Sequence, residues 1–168
     1  MKKYLYEDLY SLEDKHWWHI SKRRIVRNLI KKYNHLDNPR ILDIGCGTGK
    51  NMEELQSLGP VFGLDSSIEA LKYCKKRGLN NLIEGTAEKT SLKSSFFDVV
   101  TLLDVLEHTD DNKTLKEMNR IIKKDGIIII TVPAFGWLWS TWDEVLHHKR
   151  RYTTKKESFL KILRGTDK

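Results

Sequence analysis

The sequence predicts a single α/β domain with an open, mostly parallel sheet and helices on both faces. Three observations carry this prediction. From residue 40 onward short apolar runs alternate with segments of helical periodicity, the later runs are rich in β-branched residues, and a glycine-rich turn follows the first run. A chain of 168 residues with 39% hydrophobic content buries one such core and is too short for two ordinary domains.

The strands fall at residues 40–44, 60–64, 81–84, 97–103 and 127–132. The last two barely alternate between apolar and polar positions, which is the pattern of central strands buried on both faces. Ser66, Ser67, Ile68 and Glu69 read as a capping box opening a helix that runs to about Arg77, where Gly78 stops it. A further helix starts near Asp111 and carries Leu115, Met118 and Ile122 at helical spacing. Before the sheet, Ile25, Val26, Leu29 and Ile30 form an apolar stripe, and the Tyr, Leu and Trp residues upstream suggest another helix, the pair packing over the ligand edge or flank of the sheet. After it, Thr154 to Glu157 form a second capping box, opening a helix with Phe159, Leu160, Ile162 and Leu163.

Composition narrows the function classes. No run approaches the roughly 18 apolar residues that span a bilayer, and the first eight residues lack the apolar core of a signal peptide, so the expected location is cytoplasmic. The two cysteines, Cys46 and Cys74, lack the spacing of a zinc or redox site, and no metal is expected. The net charge of +7 comes largely from Lys22, Arg23, Arg24, Arg27, Lys31 and Lys32 and from residues 147–151. The first cluster reads as a solvated helix face, although such charge also attracts nucleic acid, anionic lipid or a phosphorylated substrate.

The most informative segment is Ile41-Leu42-Asp43-Ile44-Gly45-Cys46-Gly47-Thr48-Gly49, which puts three glycines where a buried strand turns into a helix, so that backbone approaches a ligand closely. The spacing is G-x-G-x-G; a nicotinamide-binding loop wants its third glycine at the position of Lys50. Asp43 also sits badly beside a pyrophosphate and well beside an ammonium group. At the end of the second strand, Asp65 offers an acceptor-only carboxylate to a pair of ribose hydroxyls, with Ser66 next to it.

On these residues the chain resembles the class I S-adenosylmethionine-dependent methyltransferases, in particular the small-molecule subgroup known as type 11. The resemblance covers about residues 31–152 and is most specific at Leu103-Asp104-Val105-Leu106-Glu107-His108, the run that follows the fourth strand in many of these enzymes. It implies a Rossmann-like sheet of order 3-2-1-4-5, with residues 1–36 a helical cap, 37–134 the cofactor-binding core and 135–168 an acceptor-side loop and helix. It also implies that Asp43, Gly45, Cys46, Gly47 and Gly49 hold the methionine end of S-adenosyl-L-methionine, Asp65 and Ser66 the ribose, and Thr86 and Ala87 the adenine. Thr86 stands where the family commonly has an aspartate. Asp104, Val105 and His108 complete the cofactor set, Gly45 and Asp104 flanking the crevice between strands one and four.

The acceptor side rests on less. All five tryptophans lie in residues 16–19 and 137–142, and core packing is the expected role of at least half of them. Trp17 or Trp18 could face the sulfonium, the second of these being our cofactor-binding candidate. The segment 137–142 reads as a wall of the acceptor pocket, and with residues 147–152 it resembles enzymes acting on small, often glycan- or lipid-linked molecules. Methyl transfer from a sulfonium needs mainly alignment. Should the acceptor be a hydroxyl, His108 and His148 are the candidate catalytic bases.

The family's sheet has two further strands after the fifth, more than residues 135–168 can supply. The strand at 127–132 is therefore expected to be an apolar edge, left by truncation, paired across a homodimer or covered by the last helix. The competing functions are a non-catalytic binding module on the same fold, for a partner, nucleic acid or membrane, and an NAD-dependent oxidoreductase.

Overall fold

A computed structural model describes residues 3–153. Two helices, α1 (Lys3–Leu12) and α2 (Trp17–Tyr33), precede β1 (Ile41–Ile44), α3 (Lys50–Leu55), β2 (Val61–Asp65), α4 (Ile68–Lys76), β3 (Leu82–Glu84) and β4 (Phe97–Leu103). A 3-10 turn (Leu106–His108), α5 (Asp111–Ile121), β5 (Ile122–Thr131), a second 3-10 turn (Gly136–Leu138) and α6 (Thr141–Val145) complete them. The sheet has the order β3-β2-β1-β4-β5 and every pairing is parallel. The order in which successive strands are added reverses between β1 and β4, the expected place for a ligand crevice.

Period-two alternation divides the core into two layers. Ile41 and Val99 pack with Val26 and Ile30 of α2, Met52 and Leu55 of α3, and Leu71 and Cys74 of α4. Leu42, Ile44, Val100 and Leu102 point the other way, onto Leu115, Met118 and Ile121 of α5. Both faces of β1 and β4 are thus apolar and buried, which is why their sequences do not alternate in polarity.

Several sequence expectations shift. β5 starts at Ile122, the C-cap residue of α5, so Ile121 and not Ile122 completes the helix's buried face. β5, by contrast, has a central strand's composition but takes the edge position expected of it: among the described residues β4 is its only strand neighbour, and residues 127–130 are half-buried. Ser67, not Ser66, caps α4, its hydroxyl accepting the Ala70 amide, and Gly78, at φ +79°, follows the C-cap Arg77. In α2, Val26 and Ile30 are buried and Leu29 half-buried, but Ile25 is exposed; the buried residue one turn earlier is Arg23. None of the five tryptophans is in the core, and Trp137 is 80% exposed. The helix expected at 154–163 lies outside the described residues. No described helix is long and apolar enough to cross a membrane.

Candidate functional site

A cleft of about 550 Å³ opens at the carboxyl ends of the strands, roofed by α1 and α2. Its floor is the turn after β1. Gly45 and Cys46 both donate their amides to the Leu64 carbonyl, at 2.7 and 3.1 Å, which bends the chain sharply as it leaves the strand. Gly45 has φ +68°, and a Cβ there would stand 2.3 Å from Val105 Cγ2. Both facts demand glycine.

Asp65, at the end of β2, accepts the Gly47 amide on one oxygen and the Ser67 amide on the other, each at 2.9 Å. The acid of the second strand therefore fixes the loop of the first, and its carboxylate keeps lone pairs for a ligand. Burial raises its pKa against these two bonds. Asp43 is more enclosed: burial pushes it up to about 6, while the Thr101 hydroxyl, donating at 2.6 Å, favours the ionised form.

At the far side of β1, Asp104 sits at φ +56°, a strained position for a residue with a Cβ. It does not cap a helix. One carboxylate oxygen accepts the Thr131 hydroxyl at 2.8 Å and the other lies 2.5 Å from Lys22 Nζ, so β4, β5 and α2 meet there. The basic face of α2 is accordingly not simply solvated: Arg23 is buried too, bonding Glu54 at 2.6 Å and the Glu13 carbonyl at 2.8 Å.

Beyond Asp104 lies a cluster of ionisable side chains. Glu107 is fully buried, both its carboxylate oxygens lack a hydrogen-bond partner among the described residues, and burial first, then the nearby Asp104, pushes it up to about 7. His148 Nε2 lies 3.9 Å from it, and His148 Nδ1 bonds Asp143 at 2.9 Å. Asp143 is held well below the usual carboxylate range by Arg151, whose Nη2 lies 2.8 Å away. The His108 ring is 4.9 Å from that of His148, and its Nδ1 is 3.3 Å from the His147 carbonyl.

The structure brings Asp43, Gly45, Cys46, Gly47, Asp65, Ser66, Thr86, Ala87, Asp104, Val105, His108 and His148 to the lining of this one cleft. Two candidates fall outside it. Gly49 starts α3, and its missing Cβ makes room for Leu79 and Cys74, so it serves helix packing. Trp18 is 51% exposed and packs edge-on against Trp17, whereas His19 and Lys22, one and four positions on, reach the cleft. Nor do Trp137, Trp139 and Trp142 form a pocket wall; Leu146, His147 and His148 line that side.

Sequence reasoning missed Lys22, Glu13 and Thr101. Glu13, at the end of α1, bonds the Thr48 hydroxyl and, at 2.8 Å, the Arg77 guanidinium, tying the roof to the glycine loop. These contacts join segments up to 82 residues apart and leave no local pattern to read.

A family model described as a methyltransferase domain matches residues 42–130. An uncharacterized protein of Methanocaldococcus jannaschii is 35% identical over 128 residues, covering 76% of this chain and 47% of its own length. The ubiquinone biosynthesis O-methyltransferase of Pelagibacter ubique is 34% identical over 120 residues, covering 64% and 50%. The chain thus spans about half the length of the curated relatives it matches. Among solved structures, a Thermotoga maritima protein described as a SAM-dependent methyltransferase, possible histamine N-methyltransferase, superposes with a TM-score of 0.73 at 27% identity, covering 95% of this chain and 73% of the other. A putative methyltransferase of Haloferax volcanii, solved with the Trm112 activator, has the same score at 18% identity, 95% and 74% being covered, and shares the fold.

Proposed function

The chain belongs to the methyltransferase domain family, whose cofactor is S-adenosyl-L-methionine, and on that premise we propose that it transfers the cofactor's methyl group to a small-molecule acceptor entering beside His108 and His148. The observation that carries this reading is the composition of a single cleft. Its lining combines two buried carboxylates and a glycine turn, suited to an ammonium, a carboxylate and a ribose, with a histidine pair suited to a nucleophile.

In this reading Asp43 faces the ammonium of the methionine end, and the Gly45 turn, without side chains at Gly45 and Gly47, lets the backbone approach that end closely. Asp65 and Ser66 take the ribose hydroxyls, Thr86 and Ala87 flank the adenine, and Asp104 and Val105 close the crevice over the sulfonium side. Reaction is an in-line displacement, and the rate comes mainly from alignment of acceptor atom and methyl group. Where the acceptor is a hydroxyl, its proton passes to the histidine pair, and Asp143 keeps His148 oriented with Nε2 toward the cleft. The relatives' names point to both oxygen and nitrogen acceptors, so the common ground is a small molecule bearing one of these atoms.

The test is transfer of labelled methyl from S-adenosyl-L-methionine to a panel of small phenols and amines by the purified chain. Turnover is expected, and His148→Ala should lower kcat by about 10²- to 10⁴-fold with cofactor affinity unchanged. Cofactor binding without turnover on any acceptor would favour a binding module.

A further inference from the structure

We propose that Glu107, His108 and His148 form a binding site for a divalent transition-metal ion, zinc by preference, at the acceptor side of the cleft. Two segments 39 or more residues apart supply the donors: the 3-10 turn after β4 carries Glu107 and His108, and the loop after α6 carries His148. One ligand atom from each residue lies within 4.8 Å of the other two. Around a bound ion with bonds of about 2.0–2.2 Å the donors stand roughly 3.3 Å apart, so closing the site takes movements of about 1 Å, within reach of side-chain torsions.

Three features separate this cluster from an ordinary surface group of histidines. Glu107 is fully buried, yet neither carboxylate oxygen has a hydrogen-bond partner among the described residues, a cost that a coordinated cation offsets. Each imidazole has its Nδ1 engaged, by the Asp143 carboxylate at 2.9 Å for His148 and by the His147 carbonyl at 3.3 Å for His108, which leaves Nε2 as the free donor on both rings. Such outer partners are what orient histidine ligands in metal sites. Finally, the loop bearing His148 is tied back to the turn bearing Glu107, since the Lys149 amide donates to the Glu107 carbonyl at 3.0 Å. Two nitrogens and one carboxylate oxygen suit zinc and its first-row neighbours, and leave coordination positions open.

The inference deepens the proposed function, and rests on it only in that an acceptor oxygen in the cleft could fill an open position on the ion; with the ion bound both Nε2 atoms are ligands, so the histidine pair takes the acceptor's proton only in the metal-free chain. Its test needs neither cofactor nor acceptor, so its failure leaves methyl transfer untouched. The purified chain, stripped with a chelator, is titrated calorimetrically with Zn²⁺ and, separately, with Co²⁺ followed by visible absorption. One ion per chain is expected, with a Kd near or below about 1 μM, and with visible bands of four- or five-coordinate Co²⁺. Glu107→Gln and His148→Ala should each weaken binding at least tenfold, and Asp143→Asn by about tenfold. Replacing His16 and His19, whose rings meet edge-on on the roof, should leave it unchanged. Circular dichroism confirms that each variant folds; should the two ligand variants fail to fold, His108→Ala, on a half-buried ring, makes the same test. No saturable binding, or binding that survives loss of these ligands or disappears with His16 and His19, overturns the proposal.

Discussion

Lys22 Nζ lies 2.5 Å from Asp104 Oδ2, and this ion pair joins the second helix to the end of the fourth strand across the mouth of the cleft. Their side chains are 15% and 36% exposed, so solvent screens the pair only in part. It latches the helical roof onto the sheet.

Lys22→Met should therefore cost at most about 1 kcal/mol of stability, the range of partly exposed pairs. The larger effect is expected on release: S-adenosylhomocysteine should dissociate roughly 3- to 10-fold faster, worth up to about 1.4 kcal/mol. Stopped-flow displacement measures this, and an unchanged off-rate would contradict the latch.

Asp65→Ala should weaken S-adenosylhomocysteine binding by about 1.5–3 kcal/mol, because charge-assisted bonds to the ribose are lost. The same carboxylate holds the Gly47 and Ser67 amides, so part of the loss is a loosened glycine loop. Titrating the variant with adenosine as well separates the two: a ribose role predicts that both ligands lose affinity.

The pH dependence follows from Asp43. Burial raises its pKa to about 6, with Asp65 adding to the shift and Thr101 and Lys22 opposing it. A carboxyl whose folded pKa lies above its unfolded value of about 3.9 binds its proton more tightly when folded. Its contribution to stability is therefore most favourable below about pH 4, falls as pH rises from about 4 to about 6, by on the order of 2–3 kcal/mol, and is flat above. Cofactor binding runs the other way, since an ammonium group selects the ionised form. Affinity for S-adenosylhomocysteine should hold from pH 8 to about 6 and then fall by up to tenfold per unit. Calorimetry between pH 5 and about 8 checks it, and a flat profile would remove Asp43 from the ammonium site.

Gly45→Ala combines a positive φ with a Cβ placed 2.3 Å from Val105 Cγ2. We expect a loss of about 1–3 kcal/mol in stability, read by denaturant unfolding, together with impaired cofactor binding. Gly78→Ala, also at positive φ but with open space around its Cβ, should cost less and spare the cofactor.

What could be read from sequence was whatever repeats locally. The five strands, the capped helices and the glycine turn each depend on neighbours within about ten residues, so residues 41–49 and 103–108 already named most of the cleft. The tryptophans misled because large apolar area was taken for burial, whereas their segments lie on the outside of the roof and of the acceptor-side loop. Trp18 missed the cleft through helical phase alone, with His19 and Lys22 on the inward face. Glu107 was in plain view inside its run, yet its burial beside His148 depends on a loop 41 residues later folding back, which no spacing rule encodes.

The most direct test of the account is a calorimetric titration of the purified chain with S-adenosylhomocysteine and, separately, with NAD. The structure of the cleft predicts a Kd at the micromolar level for the first, about −8 kcal/mol, and no measurable binding of the second. Binding of NAD in preference to S-adenosylhomocysteine, or of neither, would contradict it.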